Sequence, residues 1–220
     1  MRKAFSYRTT LLGVLTVAGL LTTTIAATRD IAQAARTAST PTGDEWLDKL
    51  KGSHRELFDA PAPTGGIPLV HLMNFYDTYN KAYGVKDNDI NGILTFYGLT
   101  VFHGLNDAMW TKYRLGEFLE TLGEKTNKAT VNPWRTAPVA LGMTLPQASI
   151  ESMQKRGATF IICNNALTIF SGMLAQSRGL NPDSVYHDMK ANILPGVTLV
   201  PGMVVAIQKA QDRGIAYHRQ

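Results

Sequence analysis

The second half of the chain contains the stretch Gly157-Ala158-Thr159-Phe160-Ile161-Ile162-Cys163-Asn164-Asn165-Ala166. Residues 160–163 are apolar and lie between a glycine and two asparagines, which is typical of a short strand buried in a sheet. Residues 166–177 are predicted to form a helix that ends at Gly179. The sequence therefore predicts a strand that passes directly into a helix, with Cys163 at the junction.

Alternating strands and helices are predicted on both sides of this junction. Further strands are expected at residues 67–74, 91–97, 197–200 and 215–218. Further helices are expected at 46–58, 75–83, 104–122, 146–156, 182–193 and 202–212, with a long polar loop at 125–138. Because parallel strands need crossover helices, the expected fold class is α/β: a single doubly wound, mainly parallel sheet flanked by helices.

The composition excludes some classes of protein. A chain of 220 residues with 45% hydrophobic content can bury a full core. Its net charge of +5 is concentrated at the amino terminus, because residues 35–220 carry 18 basic and 16 acidic side chains, a balance of +2. Nucleic-acid surfaces need clustered lysine and arginine, so we expect no nucleic-acid partner.

The amino terminus resembles an export signal. Arg2, Lys3 and Arg8 precede an apolar, threonine-rich run at 11–27, and Ala32-Gln33-Ala34 offers small residues for cleavage. Residues 1–34 are therefore predicted to be a Sec-type signal peptide, which places the mature protein in the periplasm or otherwise outside the cytoplasm. The alternative is an uncleaved anchor, although the run of about 17 residues is at the lower limit for a membrane span. No stable membrane insertion is expected after cleavage.

The remaining chain divides into two predicted parts. Residues 35–63 are expected to be a linker, rich in alanine, threonine, serine, proline and glycine at 35–45, followed by a short helix. Residues 64–220 are expected to be one α/β domain.

The candidate site lies where predicted strands end, because ligands of open α/β sheets bind beyond the carboxyl ends of the strands. Asn74, Tyr97 and His103 follow two of these strands, and Asn164 and Asn165 follow Cys163. A sulfur at the amino end of a helix is favoured as thiolate by the helix dipole and the free N–H groups. The other interpretation is that Cys163 is a small hydrophobic residue in the core. As the only cysteine, it can form no internal disulfide.

The segment from Met153 to Leu167 resembles the active-cysteine segment of the DsrE/DsrF-like sulfur-relay family, and residues 199–217 are similar to its closing strand-helix-strand. The likeness extends over residues 65–220. It implies a flavodoxin-like sheet, assembly into trimers or hexamers, and a cysteine that carries sulfur as a persulfide. It also implies a protein partner or a small sulfur compound as sulfur donor and acceptor. The chain departs from the family in its export signal and in the insert at 121–138.

Other chemistries have weaker support. His71, His103 and His187 do not have the spacing of a metal motif, so we expect no metal. The residues after the predicted first strand lack the Ser, Thr and Gly of a flavin phosphate loop, so we expect no cofactor. Two function classes stay open: a sulfur carrier or sulfurtransferase that acts through Cys163, and a non-catalytic ligand-binding or assembly module in which Cys163 is inert.

Overall fold

Five parallel strands form the central sheet of the computed structural model, which describes residues 43–220. They are β1 (His54–Asp59), β2 (Ile90–Phe96), β5 (Thr159–Cys163), β6 (Val197–Val200) and β7 (Ala216–Arg219), in the order β6-β5-β2-β1-β7. The short strands β3 (Val139–Ala140) and β4 (Met143–Thr144) pair separately as an antiparallel hairpin. The predicted α/β fold with a mainly parallel sheet flanked by helices is confirmed. The signal prediction lies outside the described residues.

Eight α-helices accompany these strands in residues 43–220. They are α1 (Glu45–Asp48), α2 (Ile67–Tyr83), α3 (Asp107–Lys112), α4 (Leu115–Thr121), α5 (Ile150–Lys155), α6 (Asn164–Ser177), α7 (Pro182–Ala191) and α8 (Met203–Asp212). Short 3₁₀ turns precede α2 (Thr64–Gly66), β2 (Asp87–Asp89) and α5 (Pro146–Ala148), and a longer one follows β2 (Gly98–Gly104).

The strand order assigns the helices to the two faces of the sheet. From β1 through β2 and β5 to β6 the chain crosses the sheet in one direction, and it then returns to place β7 beside β1. Right-handed crossovers therefore put α2 to α7 on one face and α8 on the other. Phe58 of β1 packs against Phe75 of α2 on the first face. On the second face Asp48 at the end of α1 forms an exposed ion pair of 2.7 Å with Arg213, the residue after α8.

The predicted strand at 67–74 is wrong, because these residues form the first half of α2. Gly65 and Gly66 adopt left-handed backbone angles and turn the chain immediately before α2. Pro68 lies in the first turn of the helix, where a missing N–H is tolerated. The buried residues Leu69, Leu72 and Tyr76 follow helical spacing. The apolar run was long enough to fit a strand, but its burial has the period of a helix.

The first strand of the sheet instead lies at 54–59, where the sequence predicted the end of a helix. Its sequence His-Arg-Glu-Leu-Phe-Asp buries only its last three residues, so the apolar pattern of the strand is short. This strand pairs with both β2 and β7, and it lies within the range 35–63 that was expected to be linker and short helix. The compact unit accordingly begins at Gly43.

The helix predicted at 104–122 is divided into the 3₁₀ turn Gly98–Gly104 and the helices α3 and α4. Asn106 caps α3, because its side chain accepts the N–H of Met109 at 3.2 Å. Arg114, with a φ of 41°, separates α3 from α4. The later strands and helices lie within a few residues of their predicted positions.

Candidate functional site

Cys163 is the last residue of β5 and the N-cap of α6. Its sulfur accepts the backbone N–H of Ala166 at 3.4 Å, a group in the first turn of α6 that has no partner within the helix. The predicted strand-to-helix junction at Cys163 is therefore present.

A second helix start also faces this sulfur. The backbone N–H of Met203, the first residue of α8, donates to Sγ at 3.3 Å. The contact arises because β5 and β6 pair in parallel with Cys163 beside Val200, which brings the turn after β6 next to the turn after β5. Sγ thus lies where two helices, of 14 and 10 residues, begin. Both helix dipoles favour negative charge at this place.

The two asparagines after Cys163 have different environments. Asn164 accepts a hydrogen bond of 2.7 Å from the hydroxyl of Tyr186 in α7, which fixes its side chain. Asn165 is exposed, and its amide lies against Gly202, where an added methyl group would approach Asn165 Nδ2 to 3.2 Å. Because residue 202 has no side chain, the turn before α8 leaves space beside Asn165, next to Cys163.

Tyr97 follows β2 at the same edge of the sheet as Cys163. Because Phe96 is paired with Ile162, the next residues on each strand, Tyr97 and Cys163, lie side by side at this edge. Burial, together with the neighbouring carboxylate of Asp59, raises the pKa of Tyr97. The structure therefore brings Tyr97, Asn164 and Asn165 to the region of Cys163, as the sequence predicted.

Asp59 was not predicted as a site residue, yet it is a buried acid at the carboxyl end of the central strand β1. Asp59 is 2% exposed, its Oδ2 accepts a hydrogen bond of 2.5 Å from the hydroxyl of Tyr217, and its Oδ1 has no hydrogen-bond partner within residues 43–220. The sequence signal was an acidic residue directly after the apolar pair Leu57-Phe58, but it marks a strand end only when residues 54–59 are interpreted as a strand and not as the end of a helix.

The sulfur is less accessible than the sequence prediction required. Cys163 is only 5% exposed and packs with the hydrophobic core. A sulfur carrier needs a sulfur that its donor can reach, whereas the observed sulfur is buried where two helices begin. A reagent that is not small therefore needs a local opening of the structure to reach a residue that is 5% exposed.

His103 does not share the region of Cys163. Gly104 packs against Ile162 and Phe96, which assigns the turn that carries His103 to the α2 face. Successive strand residues point to opposite faces, so Cys163 points away from Ile162 and towards α8. The expectation that His103 and Cys163 belong to one site beyond the strand ends is wrong. His103 lines a separate cavity of 570 Å³ beside the 121–138 insert.

Asn74 is also separated from Cys163, because it lies in the middle of α2 and not at a strand end. It lines a second cavity, of 510 Å³, between α2 and β7, an outer strand of the sheet. The other lining residues are mostly aromatic: Phe58, Phe75, Tyr79, Tyr83, His71 and His218, with Glu56 and Thr78. The prediction that Asn74 belongs to a site at a strand end is wrong, because residues 67–83 form the helix α2.

Within residues 43–220 no group of three or more His, Cys, Asp or Glu side chains is arranged to hold a metal ion. The same part of the chain contains no helix with the length and apolar character that a membrane span requires.

The structure and the site define an α/β protein with a parallel five-stranded sheet and a cysteine buried between two helix starts. No family model and no curated protein matches the sequence. A solved structure from Methanobacterium thermoautotrophicum, described as a protein of unknown function, is similar over 76% of this chain and 100% of that chain, with 15% identity and a TM-score of 0.37. A similarity of this size assigns no function.

Proposed function

We propose that this chain is an exported DsrE/DsrF-like protein that carries sulfur as a persulfide on Cys163, as a sulfur carrier or sulfurtransferase. The supporting observation is the pair of backbone N–H groups, from Ala166 and Met203, that donate to Sγ. Two such donors stabilise negative charge on sulfur better than one, and the thiolate is the nucleophilic form of cysteine.

The proposed reaction is a sulfur exchange without net oxidation. The Cys163 thiolate attacks the outer sulfur of a persulfide donor, R–S–SH. A new S–S bond forms at Cys163, the S–S bond of the donor breaks, and the donor leaves as the thiolate R–S⁻. An acceptor nucleophile then attacks the outer sulfur of Cys163–S–SH, takes it with its proton, and leaves Cys163 as thiolate again.

The burial of Cys163 favours a small sulfur compound as donor over a protein that inserts its own cysteine. Only 5% of the residue is exposed, and beside it Asn165 in the first turn of α6 lies against Gly202, the residue before α8. A low-molecular-weight persulfide needs little space, whereas a folded donor would need the turn to open. A partner protein that acts as acceptor after such an opening is compatible with the same chemistry.

The test is mass spectrometry of the protein after incubation with glutathione persulfide. We expect Cys163 to become one sulfur atom heavier, and the added sulfur to be removed by dithiothreitol. Cys163→Ser is the matched control, because it keeps the size of the side chain and removes the nucleophile. A Cys163 that stays unmodified in the native protein and becomes modified only after unfolding would refute the proposal.

The second candidate is a ligand-binding or assembly module with an inert cysteine. The observation in its favour is the burial of Cys163 within the core. In this case Cys163→Ser changes neither ligand binding nor physiology, and the native thiol resists alkylation. The same mass-spectrometric experiment therefore separates the two candidates.

We further propose that the mature protein is periplasmic or otherwise exported and forms a trimer or hexamer. Export is supported by the pattern of the first 34 residues. Assembly is supported by apolar side chains exposed on α8, where Val204 is 79% exposed. Light scattering of the mature protein should give a mass of three or six chains, and the amino-terminal residue of the secreted protein should lie near residue 35. A monomer, or a protein retained in the cytoplasm, would contradict these proposals.

A further inference from the structure

The cavity beside His103 lies between the turn that precedes α2 and the 121–138 insert. Its volume of 570 Å³ is within the range of small-molecule sites. His103, Glu124 and Lys125 contribute polar groups to its lining, and Trp134 and Val139 contribute apolar surface. Neither the fold nor the proposed sulfur chemistry requires a cavity here.

The wall formed by the insert is held in place by buried hydrogen bonds. The amide of Asn132 donates to the carbonyls of His103 at 2.7 Å and Leu105 at 2.8 Å, and its residue is 3% exposed. Arg135 forms ion pairs of 2.7 Å with Asp107 and 2.5 Å with Glu151. The long loop is therefore a fixed part of the cavity, and a ligand would not have to order it first.

Two side chains of opposite charge at this cavity have no partner. In residues 43–220 neither the carboxylate of Glu124 nor the ammonium of Lys125 forms a hydrogen bond or an ion pair. Burial raises the pKa of Glu124. A carboxylate that is partly removed from water and unpaired is costly, so a ligand cation would supply the missing interaction.

The imidazole of His103 adds a neutral polar group. It is 2% exposed, its ring centroid lies 4.2 Å from that of Trp134, and its Nδ1 has no hydrogen-bond partner among the described residues. Burial lowers the pKa of His103 to about 3, so the ring is uncharged at neutral pH and does not repel a cation.

We propose that this cavity binds a small zwitterion, an α-amino acid with an apolar side chain. Its ammonium group pairs with Glu124, its carboxylate pairs with Lys125, and its side chain packs on Trp134 and Val139. Charge-assisted pairs of this kind set the orientation of the ligand, and the apolar wall supplies contact area. The inference does not rest on the sulfur chemistry at Cys163.

The test is isothermal titration of the protein with three related probes: L-phenylalanine, phenethylamine, which lacks the carboxylate, and 3-phenylpropionate, which lacks the amine. We expect phenylalanine to bind at least about tenfold more tightly than either of the other two, because each lacks one charge-assisted pair. Glu124→Gln should weaken the binding of phenylalanine and phenethylamine by about tenfold and leave the binding of 3-phenylpropionate unchanged. Lys125→Met should weaken the binding of phenylalanine and 3-phenylpropionate by about tenfold and leave the binding of phenethylamine unchanged.

Three controls locate the binding. Ala137→Trp, at an exposed residue of the lining, should fill the cavity and abolish phenylalanine binding in a protein that still unfolds cooperatively. Lys155→Met, which removes an exposed charge outside the cavity, should leave the affinity unchanged. Cys163→Ser should also leave it unchanged, because Cys163 lies on the other face of the sheet. The proposal is overturned if phenylalanine does not bind at millimolar concentration, or if it binds with an affinity that Glu124→Gln and Lys125→Met do not alter.

Discussion

Met203 donates its backbone N–H to the sulfur of Cys163 at 3.3 Å across 40 residues of chain. The local sequence around Cys163 predicts only the first donor, in α6. The second donor depends on the parallel pairing of β5 with β6, which sets the two helix starts side by side. The environment of the sulfur is therefore a property of the sheet and not of one motif.

The turn at Gly202 offers a test of access to Cys163. The φ of Gly202 is −153°, which other residues adopt without strain, so Gly202→Ala should cost less than about 1 kcal/mol in the free energy of unfolding. The added methyl group would lie 3.2 Å from Asn165 Nδ2 and narrow the turn. We expect slower alkylation of Cys163 by iodoacetamide in the variant, measured by mass spectrometry over time.

Gly172→Ala in α6 is the matched control, because a methyl group there meets nothing within 4 Å. It should leave the alkylation rate unchanged and stabilise the protein by up to about 1 kcal/mol, since alanine has the higher helix propensity. Equal alkylation rates in both variants and the wild type would show that access does not pass between Asn165 and Gly202.

The contrast between β5 and α2 shows which parts of the fold the sequence could predict. Both segments are short apolar runs after a glycine, and a run of four to eight apolar residues fits either a strand or a buried helix. At β5 the asparagines that follow end the run after Cys163. At α2 the apolar positions continue to Tyr76 at helical spacing, and that continuation decides the structure.

The site was predictable only as far as it depends on strand ends. Tyr97 and Cys163 end neighbouring strands, and both lie at the expected edge of the sheet. His103 follows the same strand as Tyr97, but a 3₁₀ turn carries it down the α2 face. No local pattern distinguishes these two faces, because the choice depends on the strand order of the whole sheet and the right-handed crossovers between its strands.

Tyr217 supports the buried carboxylate of Asp59 through a hydrogen bond of 2.5 Å. Tyr217→Phe removes this donor. The buried carboxylate then loses a hydrogen bond at Oδ2, while its Oδ1 already has no partner within residues 43–220. We expect the free energy of unfolding to fall by about 1 to 3 kcal/mol in urea denaturation at neutral pH. Tyr83→Phe, at a side chain that is 71% exposed, should change it by less than about 0.5 kcal/mol. Equal stabilities of the two variants would contradict a structural role for Tyr217.

Arg156 joins α5 to α2 and to the turn before β2. Its guanidinium contacts Asp77 at 2.7 Å, Asp87 at 2.9 Å and Asn80 at 2.7 Å, and lies 5.0 Å from the ring centroid of Tyr76. Arg156→Met removes these contacts and leaves two carboxylates together. Because the groups are partly exposed and screened by solvent, we expect a loss of about 2 kcal/mol at pH 7.

The pH dependence provides a second measurement for the same variant. Burial alone would raise the pKa values of Asp77 and Asp87 above 3.8. Hydrogen bonds from Lys81 and Arg156 nevertheless lower the pKa of Asp77, and hydrogen bonds from Arg156 and Asn80 lower the pKa of Asp87. A lowered folded-state pKa gives stability that is present above pH 3.8 and is lost as the pH falls through the folded value. Arg156→Met should flatten the stability curve below about pH 4. Lys81→Met is the control, because the exposed Lys81 also pairs with Asp77. It should lower the free energy of unfolding by only about 0.3 to 0.5 kcal/mol. A loss of stability as large as that of Arg156→Met would contradict the assigned role of Arg156.

His103 should make the folded protein sensitive to mild acid. Its pKa falls from 6.5 to about 3 on burial, so between these values the unfolded chain binds a proton that the folded chain does not. Stability therefore decreases as the pH falls through this window, by about 1.4 kcal/mol per pH unit at most, or about 2 kcal/mol between pH 7 and pH 5. His103→Gln replaces the ring with a neutral amide and should lose about 2 kcal/mol less than the wild type over the same interval in urea denaturation. Parallel curves for the two proteins would mean that His103 takes up its proton in the folded state, and that the cavity beside it is open to water.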